Sequence, residues 1–230
     1  MIERAPDPGA PPGPRWLYLH GFASGPQSSK AVALATHYER RGVALERLDL
    51  RLPSLEHLRL GAMIAAVRQA IGTERDRAVL FGSSLGGLTA CRVAEEDARV
   101  CALVLLAPAF RLLERWRERL GETGWRQWEA TDALVIDDYA LHRQTTVDFG
   151  FARDVEAFEA RRGPLPDVRV PTLIVHGRQD DVVPIAVSRE MAAGRRHVRL
   201  VEVDDGHDLV SSLGLIAKEA DAFLAPLLGR

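Results

Sequence analysis

The sequence has few cysteines, few lysines and no long apolar run. Its two cysteines, Cys91 and Cys101, are too few for a disulfide scaffold in a chain of 230 residues, and each lies in an apolar stretch typical of a buried thiol. Only two of the 30 basic residues are lysines, and the arginines are spread along the chain rather than clustered. Together with a formal net charge of -2, this pattern does not predict binding to nucleic acid or to an anionic membrane surface.

Two further absences bear on location and cofactors. No apolar run approaches the roughly 20 residues that a membrane-spanning helix needs, and residues 1–14, rich in proline, glycine and alanine, lack the apolar core of a secretory signal. No cysteine–histidine cluster has the spacing of a metal site, so we expect neither a metal nor an organic cofactor. The sequence therefore predicts a cytoplasmic protein with a disordered leader over residues 1–14 and one globular domain over residues 15–230.

Short apolar strands alternate with helical patterns along most of the chain. Apolar runs at 16–19, 78–81, 100–107 and 172–175 each precede a stretch with helical spacing or a turn that leads to one. Such alternation predicts an α/β fold, a mostly parallel sheet with helices on both faces. Between residues 110 and 167 the alternation stops. That segment is too long for a plain crossover, so we predict a cap inserted over one edge of the sheet.

The stretch Gly-Ser-Ser-Leu-Gly-Gly at residues 82–87 predicts the position of a nucleophile. In an open parallel sheet, ligands bind at the carboxyl ends of the strands, and this stretch follows such an end. A nucleophilic serine there needs a sharp turn that leaves room only for small residues two positions before and after it. Ser84, flanked by Gly82 and Gly86, satisfies that requirement, whereas Ser83 does not. We therefore expect Ser84 to be the reactive serine.

A serine hydroxyl needs a base and an orienting acid, which on this architecture follow it as aspartate or glutamate and then histidine. Asp180 and Asp181 both follow the apolar strand that precedes them, and either could be the acid. His207 follows a glycine after the last strand and precedes the final helix, where a general base belongs. His20 and His176 also lie at strand ends, but each precedes a glycine in a turn, where we expect it to support the loop.

Backbone amides and the cap complete the predicted site. The Leu85 amide at the start of a helix and the Phe22 amide after the first strand are the expected oxyanion donors. In the cap, Trp116, Trp125 and Trp128 occur within a short stretch. These tryptophans could line a substrate pocket for an acyl chain, or they could pack the cap onto the sheet.

The stretches LYLHGFASGPQSSK, FGSSLGG, HGRQDDVVP and DDGHD, in this order, give the chain a resemblance to the α/β-hydrolase superfamily. It most resembles the small bacterial esterases of the YqiA kind. The resemblance implies an α/β-hydrolase fold and esterase or acyl-thioesterase activity. The family pattern Gly-x-x-Asp-x-x-Val-Pro falls on residues 177–184 and so favours Asp180 over Asp181. The usual leading β-hairpin is absent here, so we expect about six main strands.

These observations predict a serine hydrolase that cleaves a small-molecule carboxylic ester or acyl thioester through an acyl-enzyme on Ser84. A peptidase or amidase is one alternative, because the same three groups serve amide bonds and Asp137, Asp138 and Asp148 of the cap could grip a peptide N-terminus. A non-catalytic binding protein of the same fold is the other alternative. Such proteins typically lose one of the three catalytic groups, and here all three are present in order.

Overall fold

The computed structural model describes residues 13–228, so most of the leader predicted over residues 1–14 lies outside the described part. In chain order the elements are β1 (Arg15–Leu19), α1 (Ser29–Glu39), β2 (Leu45–Leu48), α2 (Leu60–Ile71), β3 (Ala78–Ser83), α3 (Leu85–Ala94), β4 (Val100–Leu106), α4 (Leu112–Thr131), β5 (Leu134–Asp138), β6 (Arg143–Val147), α5 (Gly150–Arg162), β7 (Thr172–Gly177), α6 (Ala186–Ala192), β8 (Val198–Val203) and α7 (Leu213–Leu228).

The main sheet has six parallel strands in the order β2-β1-β3-β4-β7-β8. The α/β class and the six main strands predicted from the sequence are therefore confirmed. From β1 the chain first adds β2 on one side of it and then adds β3, β4, β7 and β8 in succession on the other side. The point between β1 and β3 is therefore a topological switch point, and ligands bind at such points in open α/β sheets. The strands that carry the predicted acid, nucleophile and base (β7, β3 and β8) all end at the same edge.

Side chains along each strand alternate between two apolar clusters, one on each face of the sheet. In β1, Leu17 and Leu19 join one cluster while Trp16 and Tyr18 join the other. All six residues of β3 are buried, and both faces of this central strand are covered, so its sequence is almost continuously apolar. Helices α1 and α7 cover the Tyr18 face, and α2, α3 and α6 cover the Leu17 face.

The segment between β4 and β7 interrupts this pattern, at the place where a cap is predicted. It contains α4, which is kinked at Gly121, then the antiparallel hairpin β5–β6 and α5. Polar contacts join it to the loop before α2: the Asp148 carboxylate accepts hydrogen bonds from Arg59 at 2.7 Å and from His57 at 2.7 Å. At the hairpin tip the Tyr139 N–H donates to the carbonyl of Ala23, 2.9 Å away, so the cap rests on the loop after β1.

Candidate active site

Ser84 lies in the tight turn between β3 and α3. Its φ of 52° and ψ of -116° are rare for a residue other than glycine and cost roughly 1–3 kcal/mol unless the surroundings enforce them. Here they do, because the Ser84 N–H donates to Leu106 O at 2.9 Å and the Ser84 carbonyl accepts from Gly87 N at 2.9 Å and from Ala109 N at 3.0 Å. The turn is therefore held on both sides.

The glycines around Ser84 are required by close approach of the backbone. A Cβ atom at Gly82 would lie 2.5 Å from the carbonyl oxygen of Gly86, and one at Gly86 would overlap the carbonyl of Leu19. Cβ atoms essentially never approach other atoms within 3.0 Å. The positions two before and two after Ser84 must therefore stay without side chains, as the Gly-x-Ser-x-Gly spacing predicts. Ser83, by contrast, is the last residue of β3 and is buried.

The structure brings together the three side chains that the sequence predicts as nucleophile, base and acid. His207 Nε2 lies 3.1 Å from Ser84 Oγ, and His207 Nδ1 lies 2.7 Å from Asp180 Oδ2. With the imidazole proton on Nδ1, the ring donates to the carboxylate and accepts from the serine hydroxyl. Asp181, the other aspartate of this turn, is exposed and belongs to no part of this chain of hydrogen bonds.

The Asp180 carboxylate is held as an anion by its surroundings. Its Oδ1 accepts hydrogen bonds from the amides of Val182 at 2.9 Å and Val183 at 2.7 Å, and its Oδ2 lies 3.1 Å from His176 Nε2. Burial alone would raise the pKa of Asp180. The hydrogen bonds from His176, His207 and the Val183 amide outweigh that effect and lower the pKa well below its ordinary value. The buried His176 ring thus supports the acid loop, the role expected of it from sequence.

The loop after β1 places the first predicted oxyanion donor beside the nucleophile. A Cβ atom at Gly21 would lie 3.2 Å from Ser84 Cβ, so the chain leading to Phe22 runs directly against the serine. Buried His20 holds this loop, because its Nε2 accepts from Leu50 N at 2.9 Å while its Nδ1 donates to Gly21 O at 2.9 Å. Burial lowers the pKa of His20, which favours this neutral tautomer.

Both predicted oxyanion donors are free to donate a hydrogen bond to a ligand oxygen. Within residues 13–228, neither the Phe22 N–H nor the Leu85 N–H has a hydrogen-bond acceptor. Leu85 is the first residue of α3, where backbone N–H groups have no partner inside the helix and the helix dipole favours negative charge. The arrangement can therefore stabilise an oxygen that gains negative charge beside Ser84.

A cleft of about 1300 Å³ opens over Ser84 and His207, between the cap and the sheet. Its walls include Leu112, Trp116 and Leu120 of α4. Among residues 13–228, seven large apolar side chains are exposed, and five of them lie around this cleft: Val135, Tyr139, Leu141, Val182 and Val210. Apolar surface concentrated in this way marks a binding region rather than scattered surface residues.

The three cap tryptophans do not share one location. Trp116 lines the cleft, and its ring meets the Phe22 ring edge-on with centroids 5.0 Å apart. Trp125 and Trp128 do not reach the cleft, so the pocket position predicted for these two is corrected. Both are buried against Phe149, and the Trp128 Nε1–H donates to Val147 O at 2.8 Å. Trp125 and Trp128 form the core of the cap, because the face of α4 that carries them packs against the hairpin β5–β6 and α5.

Two other kinds of feature are absent from the described part of the chain, residues 13–228. It contains no group of three or more histidine, cysteine, aspartate or glutamate side chains placed to hold a metal ion. None of its helices is both long enough and apolar enough to cross a membrane.

Comparison with known structures identifies the fold. The chain is similar to alpha/beta hydrolase domain-containing protein 10 from mouse (21% identity over 94% of this chain and 92% of that one, TM-score 0.76). It is also similar to Est1E from Butyrivibrio proteoclasticus with bound ferulic acid (23% identity, 99% and 94% coverage, TM-score 0.78). A third similar structure is the esterase domain of a Rhodothermus marinus protein (20% identity, 96% and 90% coverage, TM-score 0.65).

No curated protein matches the sequence. The model of one family, described as uncharacterised protein family UPF0227, matches residues 15–219, which is nearly the whole chain. The resemblance to YqiA-like proteins that the sequence motifs carry is thereby confirmed. The chain has the α/β-hydrolase fold and belongs to the UPF0227 family.

Proposed function

We propose that the protein is a serine hydrolase that cleaves carboxylic esters or acyl thioesters through an acyl-enzyme on Ser84. The observation that carries the proposal is the hydrogen-bonded chain from Ser84 through His207 to Asp180, at the base of an apolar cleft. A binding protein of this fold would have no need to keep Ser84 in a strained turn with a base 3.1 Å from its hydroxyl.

In the first half of the reaction, Ser84 Oγ attacks the carbonyl carbon of the substrate and its proton passes to His207 Nε2. The carbonyl oxygen becomes an oxyanion between the Phe22 and Leu85 amides. Asp180 stabilises the imidazolium that forms, without taking its proton. When the tetrahedral intermediate collapses, the bond from carbon to the leaving oxygen or sulfur breaks. The imidazolium protonates the leaving group, and the acyl group remains on Ser84.

In the second half, water replaces the leaving group. His207 takes a proton from the water as the hydroxide oxygen attacks the acyl carbon, and the same two amides hold the oxyanion again. Collapse breaks the bond between the acyl carbon and Ser84 Oγ, and the imidazolium returns its proton to the serine. The products are a carboxylic acid and an alcohol or thiol, and the enzyme is regenerated.

The cap favours esters over peptides. Asp138 is buried and accepts hydrogen bonds from the amides of Ala140 and Leu141 in its own hairpin, and Asp148 is bound by arginine and histidine. Of the three cap acids that could grip a peptide N-terminus, only Asp137 therefore remains available in the cleft. The apolar rim instead suits a small-molecule acyl substrate.

Two free cysteines, one of them buried, fit the proposed cytoplasmic location.

Covalent labelling tests the proposal directly. An alkyl fluorophosphonate should modify wild-type protein on the tryptic peptide spanning residues 78–92, and fragmentation should assign the adduct to Ser84. Ser84→Ala should lose both the label and hydrolysis of 4-nitrophenyl butyrate while keeping its thermal transition. Ser83→Ala is the matched control and should keep both. His207→Ala should label far more slowly, since a serine hydroxyl without its base is nearly inert. Folded wild-type protein that takes no label and hydrolyses no activated ester would overturn the proposal.

A further inference from the structure

Helix α4 of the cap carries two arginines, Arg115 and Arg119, that line the cleft one helical turn apart. Other arginines of this helix are paired: Arg117 lies 3.4 Å from Glu156, and Arg126 lies 2.7 Å from Glu122. Within the described residues 13–228, neither Arg115 nor Arg119 has a carboxylate oxygen within 4.0 Å. The two unpaired guanidinium groups are thus the ones that face the substrate cleft.

Arg115 is part-buried, and its hydrogen-bonding capacity is only partly used. One terminal nitrogen donates to the carbonyl of Val182 in the acid loop. Its Nε–H is buried, and among residues 13–228 it meets no acceptor. Burial lowers the pKa of the Arg115 guanidinium, although the nearby Asp180 carboxylate acts in the opposite direction. A buried charged donor without an acceptor is costly, so the protein alone does not fully satisfy the Arg115 guanidinium.

The other charged side chains of the cleft are less suited to bind an anion. Lys30 donates to His207 O at 3.4 Å, and its charge is offset by the neighbouring carboxylates of Asp180, Asp205 and Asp208. Arg51 is engaged through two nitrogens with the carboxylate of its neighbour Asp49. The cleft guanidinium groups that have no carboxylate oxygen within 4.0 Å among the described residues are therefore those of Arg115 and Arg119, on the cap side.

We propose that Arg115, assisted by Arg119, binds an oxyanionic group of the substrate, so that the enzyme acts on esters or thioesters that also carry a carboxylate or phosphate. This inference rests on the proposed function. It makes Arg115 a specificity-determining residue, since a guanidinium presents paired N–H donors that match the oxygens of such a group. The apolar cleft wall formed by Leu112, Trp116 and Leu120 would hold the carbon chain between the anion and the ester.

Two pairs of matched esters test this specificity and locate the anion. In the first pair the charge is on the acyl side: 4-nitrophenyl hydrogen suberate against its methyl ester. In the second pair it is on the leaving group: 4-carboxyphenyl octanoate against 4-carbamoylphenyl octanoate. In at least one pair the wild-type ratio of kcat/KM, charged over neutral, should fall about tenfold or more in Arg115→Gln, as expected for one lost charge-assisted hydrogen bond. Arg115→Lys should keep part of the ratio. Arg117→Gln, which removes a charge from the same helix outside the cleft, should leave it unchanged.

The ratio of kcat/KM, charged ester over neutral ester, distinguishes binding of the substrate anion by Arg115 from a purely structural role of Arg115 in holding the Val182 loop. If Arg115→Gln lowers kcat/KM equally for both members of each pair, Arg115 only holds the Val182 loop and the inference is wrong. The inference also fails if the ratio in Arg117→Gln falls as far as in Arg115→Gln. Added NaCl should weaken the wild-type preference, since partly exposed charges are screened.

A binding measurement keeps the inference distinct from the proposed function. Calorimetric titration of Ser84→Ala with the same esters should give a lower Kd for the charged member of the preferred pair, and Ser84→Ala/Arg115→Gln should lose that difference. This result would support anion recognition even if the wild-type protein hydrolysed none of the esters, which would refute the proposed function alone. Equal Kd values for charged and neutral members in both pairs would overturn the inference whatever the activity.

Discussion

Replacing Gly177 by alanine should disable the site without unfolding the protein. Gly177 is the last residue of β7, three residues before Asp180, and its backbone lies against the loop that carries His207. An added Cβ would overlap the carbonyl oxygen of Asp205 and lie 2.6 Å from that of Gly206. Both neighbours are backbone atoms, so no side chain can turn aside to make room. The loop after β8 must instead move by several tenths of an ångström, up to about 1 Å.

That displacement acts on the distance from His207 Nε2 to Ser84 Oγ, which is 3.1 Å. A misplacement of about 1 Å can cost roughly 10²-fold in rate, equivalent to about 2.7 kcal/mol of transition-state stabilisation. We expect kcat/KM of Gly177→Ala for 4-nitrophenyl butyrate to fall by about that factor. Gly206→Ala is a matched control, because Gly206 adjoins His207 and a Cβ there would meet nothing within 4 Å. A Gly177→Ala variant that keeps a third or more of wild-type kcat/KM would contradict this expectation, as would a Gly206→Ala variant that loses as much as Gly177→Ala is expected to lose.

Three other predictions concern the acid, the cap and a buried carboxyl. Asp180→Asn should lower kcat by orders of magnitude and Asp181→Asn only slightly; steady-state kinetics giving the reverse order would contradict the assignment of the acid. Trp128→Ala should lower the free energy of unfolding by about 3–5 kcal/mol in urea titrations, whereas Trp116→Ala should mainly change acyl-chain-length preference. Burial raises the pKa of the Glu159 carboxyl above its ordinary 4.5, so the folded state binds the proton more tightly than the unfolded state does. The protein should therefore lose stability as pH rises from 4.5 through the raised pKa of the folded state. Glu159→Gln should therefore be more stable than wild type at pH 7 and lose that advantage near pH 4.

Local chemistry made much of this molecule predictable from sequence. Buried parallel strands require continuous apolar runs. The Ser84 turn requires glycine at two positions, at Gly82 because of the nearby backbone of Gly86 and at Gly86 because of the Leu19 carbonyl in the neighbouring strand β1, and this requirement appears in the sequence as the Gly-x-Ser-x-Gly spacing. The order of serine, aspartate and histidine then follows from the order of β3, β7 and β8. Boundaries were less exact: the apolar run at 172–175 belongs to a strand that extends to Gly177, because its pairing with β8 continues to that residue.

Features that depend on packing between distant segments were not predictable. All three cap tryptophans occupy plausible positions on a helix, and only the placement of the hairpin and α5 decides which faces the cleft. His176 could be assigned to loop support, but its contact with the Asp180 carboxylate depends on how the turn folds back. The lack of an ion pair at Arg115 within the described residues was also not predictable, because an arginine among acidic residues in sequence is usually paired in space.

The contact between Phe22 and Trp116 has a consequence for how this family can diversify. Phe22 lies in the loop after β1, beside Ser84, while Trp116 lies in the segment inserted between β4 and β7. Insertions are natural units of genetic exchange, since replacing one leaves the strands around it intact. Here such a replacement would remove the Trp116 ring that packs on Phe22 and the Tyr139 N–H that donates to the carbonyl of Ala23. Recombinants that change the cap alone would thus lose two contacts to the loop after β1, so we expect new specificities to arise by paired changes at Phe22 and Trp116 rather than by wholesale exchange of the insertion.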